Sequence, residues 1–177
     1  MPKNSVKQIE QDEKRILGEL LKNANKSIND IAENCRFSRQ KVWRVIKNLE
    51  KNHTIWGYTT VVDEEKLNNK GYILFIKRNN KTFPDKLIKK IIDRDLTNNG
   101  KKIDAEITNS FFTHGIYDWV ICFNANDIRE AKSFIEEVNK LYGEYISESY
   151  LIEKMFTAVS SRVTNPEIKK LNDFFKV

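Results

Sequence analysis

Two cysteines, two histidines, three prolines and six glycines are spread thinly over 177 residues. A disulfide or metal framework needs clustered, evenly spaced Cys or His partners, and Cys35 and Cys122 stand far apart, each in an apolar pattern. Both are expected to be small core residues, and no metal or cofactor is expected. Apolar runs are only a few residues long, too short for a membrane span. The first stretch, MPKNSVKQIEQDEK, has no apolar segment of the signal-peptide kind, so a cytoplasmic protein is expected. The sequence also lacks a P-loop, a GxGxxG run and paired carboxylates at a recognisable catalytic spacing, which argues against an enzyme.

What is present is a soluble-protein composition, 40% hydrophobic and 32% charged, long enough for one medium domain or two small ones. The net charge of +6 is placed unevenly. Residues 1–57 hold 12 Lys+Arg against 7 Asp+Glu, whereas residues 58–177 hold 19 against 18. Acid is scarcest between Arg36 and Lys51, where Glu50 stands alone against six cations. A polyanionic partner is the simplest physical reason to accept such self-repulsion.

That segment contains SRQKVWRVIKNLEK, Ser38 to Lys51, which reads as a helix with two faces. Val42, Val45, Ile46 and Leu49 fall at i, i+3, i+4, i+7 and face a core. Gln40, Arg44, Lys47 and Lys51 fall on the opposite side, and Ser38 is the cap candidate. Upstream, Ile16, Leu17, Leu20 and Leu21 form a helical stripe that Val6 and Ile9 extend. Ser27 and Asp30 fit a capping box opening a short helix with Ile28, Ile31, Ala32 and Cys35 inward. Two short helices joined tightly at Arg36-Phe37, the second polycationic outward, are the signature of a helix-turn-helix. In such a motif Arg39, Gln40, Trp43 and Arg44 lie in the first turns, where base edges are met. Arg pairs bidentately with guanine and Gln with adenine. Lys41, Lys47 and Lys51 are expected at phosphates, with the backbone N–H groups at Ser38. Double-stranded DNA is the partner this pattern calls for.

Beyond this domain, Thr54–Ile55 and Tyr58–Val62 are β-prone, and a linking strand and loop lead to a boundary near residue 70. Elements then alternate: a strand YILFIKR, a helix FPDKLIKKIIDRDL with Leu87, Ile88, Ile91 and Ile92 inward, strands AEITNSFFT and DWVICFNA, a helix NDIREAKSFIEEVNKLYG stopped at Gly143, and a strand YISESYLIEKMFTAV. In that helix Ile128, Ala131, Ile135, Val138 and Tyr142 share a face. The order βαββαβ is the ferredoxin-like arrangement. Its uncovered sheet face, assigned Tyr72, Leu74, Phe111, Tyr117, Trp119, Ile121 and Tyr150, is too apolar to face water, so a homodimer packed sheet against sheet is expected. NPEIKKLNDFFKV reads as a short helix capped at Asn165.

The motifs IL..L..N (Ile16 to Asn23), S..DIA (Ser27 to Ala32), S...V..VIKNLE (Ser38 to Glu50), I.GY (Ile55 to Tyr58) and G.YD (Gly115 to Asp118), followed by βαββαβ, resemble the Lrp/AsnC (feast/famine) family of transcription regulators. The resemblance implies an α+β chain: a helix-turn-helix (winged-helix-like) DNA-binding domain over 1–57, a linking strand and loop over 58–70, and a ferredoxin-like dimerisation and effector domain over 71–157. A C-terminal extension with a short helix occupies 158–177. It further implies assembly into dimers or higher homo-oligomers and an amino-acid effector at the loop of His114, Gly115, Tyr117 and Asp118. There Asp118 would receive an α-ammonium group, although the same residue also suits a turn that caps its own backbone. The family usually has Gly where this chain has Arg36 and His53. Two other readings compete. Sirohaem decarboxylases resemble the same fold, with His114 and Tyr117 as the catalytic pair, and a low-specificity architectural DNA-binding protein would share the basic helix.

Overall fold

The computed structural model of the protein describes residues 6–100 and 103–176. The chain divides into two compact units, one running through Val61 and joined by Ala158–Ile168, the other Val62–Thr157 with the stretch from Lys169 onward.

In the first unit, α1 (Val6–Lys22), α2 (Ile28–Cys35) and α3 (Arg39–Lys51) pack around Ile16, Ile31, Ala32, Cys35 and Val42. The boundaries follow from local chemistry. The Ser27 hydroxyl accepts from Asp30 N–H while the Asp30 carboxylate accepts from Ser27 N–H, the reciprocal capping box expected from sequence. Ser38 caps α3 by accepting from Lys41 N–H. Between the two, Arg36 turns the chain in the left-handed region at φ 53°, and its N–H and that of Phe37 satisfy the last carbonyls of α2. His53 does the same after α3 at φ 57°. The two positions where glycine is usual in the resembled family thus keep the glycine conformation without the glycine. On α1 the burial differs from the expected stripe: Ile16 is buried, Leu17 and Leu20 half-buried, and Val6, Ile9 and Leu21 exposed. The linking strand expected at Tyr58–Val62 does not form a ladder; the chain there is irregular up to a 3-10 turn at Glu64–Leu67.

The second unit is the ferredoxin-like arrangement. Strands β1 (Lys70–Arg78), β2 (Glu106–Phe112), β3 (Trp119–Ala125) and β4 (Ile146–Glu153) form an antiparallel sheet in the order β2-β3-β1-β4. Between β1 and β2 the single expected helix is two, α4 (Asp85–Ile92) and α5 (Asp95–Gly100), because Arg94 adopts a left-handed φ of 61° that breaks the run. Leu87 is buried and Ile91 partly so, but Ile88 and Ile92 are exposed. The long helix α6 (Ile128–Tyr142) is capped by Asp127, which accepts from Arg129 and Glu130 N–H. It buries Ala131, Phe134, Val138 and Tyr142, leaving Ile128 exposed and Ile135 half-buried. Gly143 does not end it in a left-handed turn; its φ is −54° and the chain runs on into a 3-10 turn.

Register decides which sheet face meets the helices. Tyr72, Leu74 and Ile76 of β1 stand opposite Phe123, Ile121 and Trp119 of β3, and all six are buried in one core with Phe134, Val138 and Tyr142 of α6. Tyr72, Leu74, Trp119 and Ile121 therefore lie on the covered face, a correction to the sequence assignment. The physical reason is that residues 72–76 are apolar without interruption, so alternation gives no clue to their facing. The open face carries Ile73 and Phe75 opposite Cys122 and Val120, with Phe111, Tyr150 and Ile152 on the flanking strands. Tyr117 joins it, its ring centroid 4.9 Å from Phe75 and 5.9 Å from Tyr150. Phe111, Tyr150 and Ile152 are each about half exposed. An uncovered apolar face exists, with a different membership from the one expected. Cys35 is buried, but Cys122 is only half-buried on this face.

A last short helix, α7 (Leu171–Phe175), follows a 3-10 turn and sets Phe174 against Phe156, ring centroids 5.6 Å apart. Asn165, the expected cap, accepts from Glu167 N–H, but α7 starts only at Leu171 after the 3-10 turn, with Lys170 before it and no side-chain cap.

Candidate nucleic-acid interface

Helix α3 is anchored by its aliphatic side: Val42 and Leu49 are buried, and Val45 and Ile46 pack against the core. On the other side Arg39, Gln40 and Arg44 are exposed, as is Lys51 at the helix end. None of these four has a hydrogen-bond or ion-pair partner among the described residues. Ser38, Arg39, Gln40, Lys41, Trp43, Arg44 and Ile28 line one solvent-open depression at the start of the helix. Trp43 is 55% exposed, and it also lines a second depression with Leu20 of α1 and Ile31 of α2.

Two of the expected phosphate contacts have other partners. Lys41 turns back to α1: its ammonium is 2.5 Å from Asp12 Oδ2 and 3.9 Å from the centre of the Phe37 ring. Lys47 lies 2.7 Å from Glu50, and Glu50 also accepts from Tyr58 Oη at 3.1 Å. The Lys47 pair is exposed and opens at little cost. The Lys41 pair is different, because Asp12 is 3% exposed and holds a second hydrogen bond from Gln8. The Lys41 ammonium beside it holds the Asp12 carboxyl below the ordinary carboxylate range.

This brace escaped the sequence analysis, and it orients the recognition helix. Arg15 of α1 donates to the Cys35 carbonyl at 2.7 Å and lies over the Phe37 ring, 4.8 Å from its centre. Phe37, the last residue of the tight turn, is thus held by one cation from α1 and one from α3. A second acid of α1, Glu19, collects Lys22, Lys26 and Asn34, and these hydrogen bonds pull its carboxyl down to about 2. Asp12, Arg15 and Glu19 recur three and four apart on α1, a polar stripe beside the apolar one; that spacing was the available signal.

In the second unit, His114, Gly115 and Ile116 are exposed at the tip of the β2–β3 connection. Asp118 is committed to the backbone: Oδ2 accepts from Arg78 N–H at 2.7 Å, its N–H donates to Ile76 O, and its carbonyl accepts from Thr113 N–H. Thr113 Oγ1 donates to the Tyr117 carbonyl. Tyr117 itself is turned to the open face, against Phe75 and Tyr150, and His114 and Gly115 stand exposed at the tip.

Residues 13–55 match the family described as winged helix-turn-helix DNA-binding. No curated protein matches the sequence. Among solved structures, the Mycobacterium tuberculosis leucine response regulatory protein LrpA superposes with a TM-score of 0.68 at 13% identity, covering 88% of this chain and 98% of that one. The AsnC family transcriptional regulator from Agrobacterium tumefaciens gives 0.63 at 16%, covering 88% and 96%. The fold is that of the Lrp/AsnC regulators. A further match on the same fold is the regulator NMB0573 from Neisseria meningitidis, solved as an L-Met complex, with a TM-score of 0.63 at 14% identity over 84% of this chain and 91% of that one. The Lrp/AsnC fold therefore runs through both units, and the helix that carries the free cations, α3, lies within the residues that match the winged helix-turn-helix family. Among the described residues no group of His, Cys, Asp and Glu is arranged to hold a metal, and no helix is long and apolar enough to cross a membrane.

Proposed function

We propose that the chain is a cytoplasmic, sequence-specific DNA-binding transcriptional regulator of the Lrp/AsnC type, not an enzyme, that dimerises through the open face of its C-terminal sheet. The observation that carries this reading is the start of α3, where Arg39, Gln40 and Arg44 stand exposed and unpaired on a helix braced from behind by Asp12 and Lys41. A helix held that way enters a major groove with its reading groups free and its aliphatic side fixed. Arg44 and Gln40 are assigned to base edges, Arg39 and Lys51 to base edge and phosphate respectively, Lys47 to phosphate after its exposed pair with Glu50 opens, and Lys41 to positioning. Trp43, half out of the surface, is assigned to the groove wall.

Dimerisation is supported by the half-exposed Phe111, Tyr150 and Ile152, a contiguous apolar surface that water tolerates poorly. A dimer also supplies two recognition helices for two half-sites, about 34–36 Å apart on adjacent turns. An amino-acid effector is proposed at the His114–Gly115 tip, with backbone groups there as its contacts in place of Asp118. Titration calorimetry with the twenty amino acids tests it, and no heat from any of them overturns it.

Binding-site selection from random duplexes, with light scattering on the same sample, tests the main reading. A palindromic site bound by a dimer is expected; equal affinity for selected and random DNA overturns sequence-specific regulation in favour of an architectural role. Arg44→Ala should cost about 1–3 kcal/mol on the selected site and relax preference at one base position, measured by anisotropy on single-base variants of the site.

A further inference from the structure

The C-terminal stretch Ala158–Ile168 belongs to the first unit, the one that carries the recognition helix, although it follows the last strand of the second. It holds a small hairpin, β5 (Val159–Ser160) and β6 (Val163–Thr164), with Val159 opposite Thr164 and Ser160 opposite Val163, closed further by Asn165 N–H donating to Ala158 O at 2.9 Å. The two loop residues, Ser161 and Arg162, both have left-handed φ, 45° and 71°. That is the tight two-residue turn whose twist suits a hairpin, and its favoured occupants are Asn-Gly or Asp-Gly. This chain places a serine and an arginine there instead, at positions where an L side chain is strained. Strain kept at a surface tip points to a use for the side chain.

The surrounding chemistry indicates which use. Within Ala158–Ile168, Arg162 at the hairpin tip is the one cation, and the one acid, Glu167, lies beyond the second strand. Ser160, Ser161, Arg162 and Thr164 are all exposed, and the Arg162 guanidinium has no ion-pair or hydrogen-bond partner among the described residues. Arg, Ser and Thr side chains together with backbone N–H groups are the donors that fasten proteins to phosphate oxygens. The position usual for a wing, directly after the recognition helix, is taken by the irregular segment Thr54–Val62, so β5–β6 is the unit's only two-stranded hairpin among the described residues.

We propose that the β5–β6 hairpin is a wing donated by the C-terminal stretch, and that Arg162 and the hydroxyls beside it contact the phosphate backbone of the duplex that α3 reads. This rests on the DNA-binding reading above. The wing adds affinity and carries no base preference.

The test uses the full-length protein and fluorescence anisotropy on the selected duplex and on a random one, over a range of salt. The double substitution Ser161→Asn with Arg162→Gly keeps the turn in its most favoured composition while removing the cation, so the fold is protected. It should weaken both duplexes equally, by about threefold to tenfold, and lower the slope of log K against log salt by about 0.9. Its melting temperature should be unchanged or higher. Wild-type affinity and slope in the double variant overturn the wing while Arg44→Ala, which must lose selected-site binding, keeps the α3 reading intact. If Arg44→Ala also binds as wild type, both readings fall. A loss confined to the selected duplex overturns the wing as well, because it would mean base reading by the hairpin.

Discussion

The first unit turns Arg39, Gln40, Arg44 and Lys51 outward from a small aliphatic core, whereas the second leaves Phe111, Tyr150 and Ile152 outward from a large aromatic one. Both are surfaces that a monomer in water gains nothing by keeping. The charged one repels itself, and the apolar one orders water. In the proposed reading they take opposite partners: a polyanion for the first, a second copy of the same surface for the second. The burial of polar groups follows the same division. In the first unit two acids of α1, Asp12 and Glu19, are taken inside and answered by Lys41, Lys22 and Lys26. In the second unit the helix-facing core is almost wholly apolar and is closed by ring contacts, such as Phe123 on Phe134 and Trp119 on Tyr142. A unit that must hold a helix at a fixed angle uses directional ion pairs. A unit that must present a face uses a packed hydrophobic slab.

The sharpest way to break this comparison is to substitute neighbours from the two sides of the second unit's sheet. Leu74 is fully buried on the helix side, and Leu74→Ala should lower the unfolding free energy by about 3–5 kcal/mol through lost transfer energy and a residual cavity. Ile152 lies on the other side, 49% exposed at the β4 edge. Ile152→Asp should leave the folding of a monomer nearly intact, within about 1 kcal/mol, yet weaken the dimer by about a hundredfold, which is about 2.7 kcal/mol. Urea denaturation reads the first and sedimentation over a concentration series the second. If Ile152→Asp leaves the dimer as tight as before, the open face is not the interface.

A smaller effect separates the units by pH. The carboxyls of Asp12 and Glu19 are held down by their lysine partners, Glu19 to about 2. A carboxylate with a depressed folded pKa stabilises above its ordinary value, and that stabilisation is lost as pH falls through the folded value. The first unit should therefore begin to weaken below about pH 4.5 and lose this contribution by about pH 2. Asp12→Asn should remove part of the acid transition and, by loosening Lys41 and Phe37, reduce DNA affinity at neutral pH without changing the salt slope. Circular dichroism of the helices from pH 5 to 2, set beside anisotropy at pH 7, checks both. An unchanged acid transition in Asp12→Asn would remove the brace from the account.

How far the sequence revealed these features depended on whether a local signal existed. The capping serines Ser27 and Ser38 were legible because capping is a contact within three residues. The free cations of α3 were legible from helical spacing. The facing of β1 was not, because Tyr72 to Ile76 is apolar on both sides and only pairing with β3 decides which side the helices cover. Lys41 was counted with the outward cations because its partner, Asp12, is 29 residues away and on another helix. Asp118 suited an effector role or a turn role, and its bond to Arg78 N–H, 40 residues back, gives Oδ2 a backbone partner that spacing did not reveal. The facing of β1 and the partner of Lys41 were hidden because each is a long-range pairing, whereas the helix break at Arg94 is a local left-handed turn at a residue that gives no sign of it.

Arg36 gives the smallest and most local test. It stands at φ 53° in the turn between the two helices, with its N–H bonded to Glu33 O at 3.0 Å. A residue with a Cβ is strained there by about 1 kcal/mol, so Arg36→Gly should relieve the strain while making the unfolded chain more flexible. The two effects partly offset, and a gain of about 0.5 kcal/mol is expected from thermal melts of the variant. Arg36 is also exposed and cationic beside the recognition helix, so the same change should weaken DNA binding slightly if its charge is felt by the duplex. A variant that is more stable but binds less tightly would show why a chain with glycine available keeps arginine in the turn: the charge next to α3 is worth more to binding than the relaxed backbone is to folding. A variant that is more stable and binds as before would mean that the residue is there for neither reason, and that the positive surface begins only at Arg39.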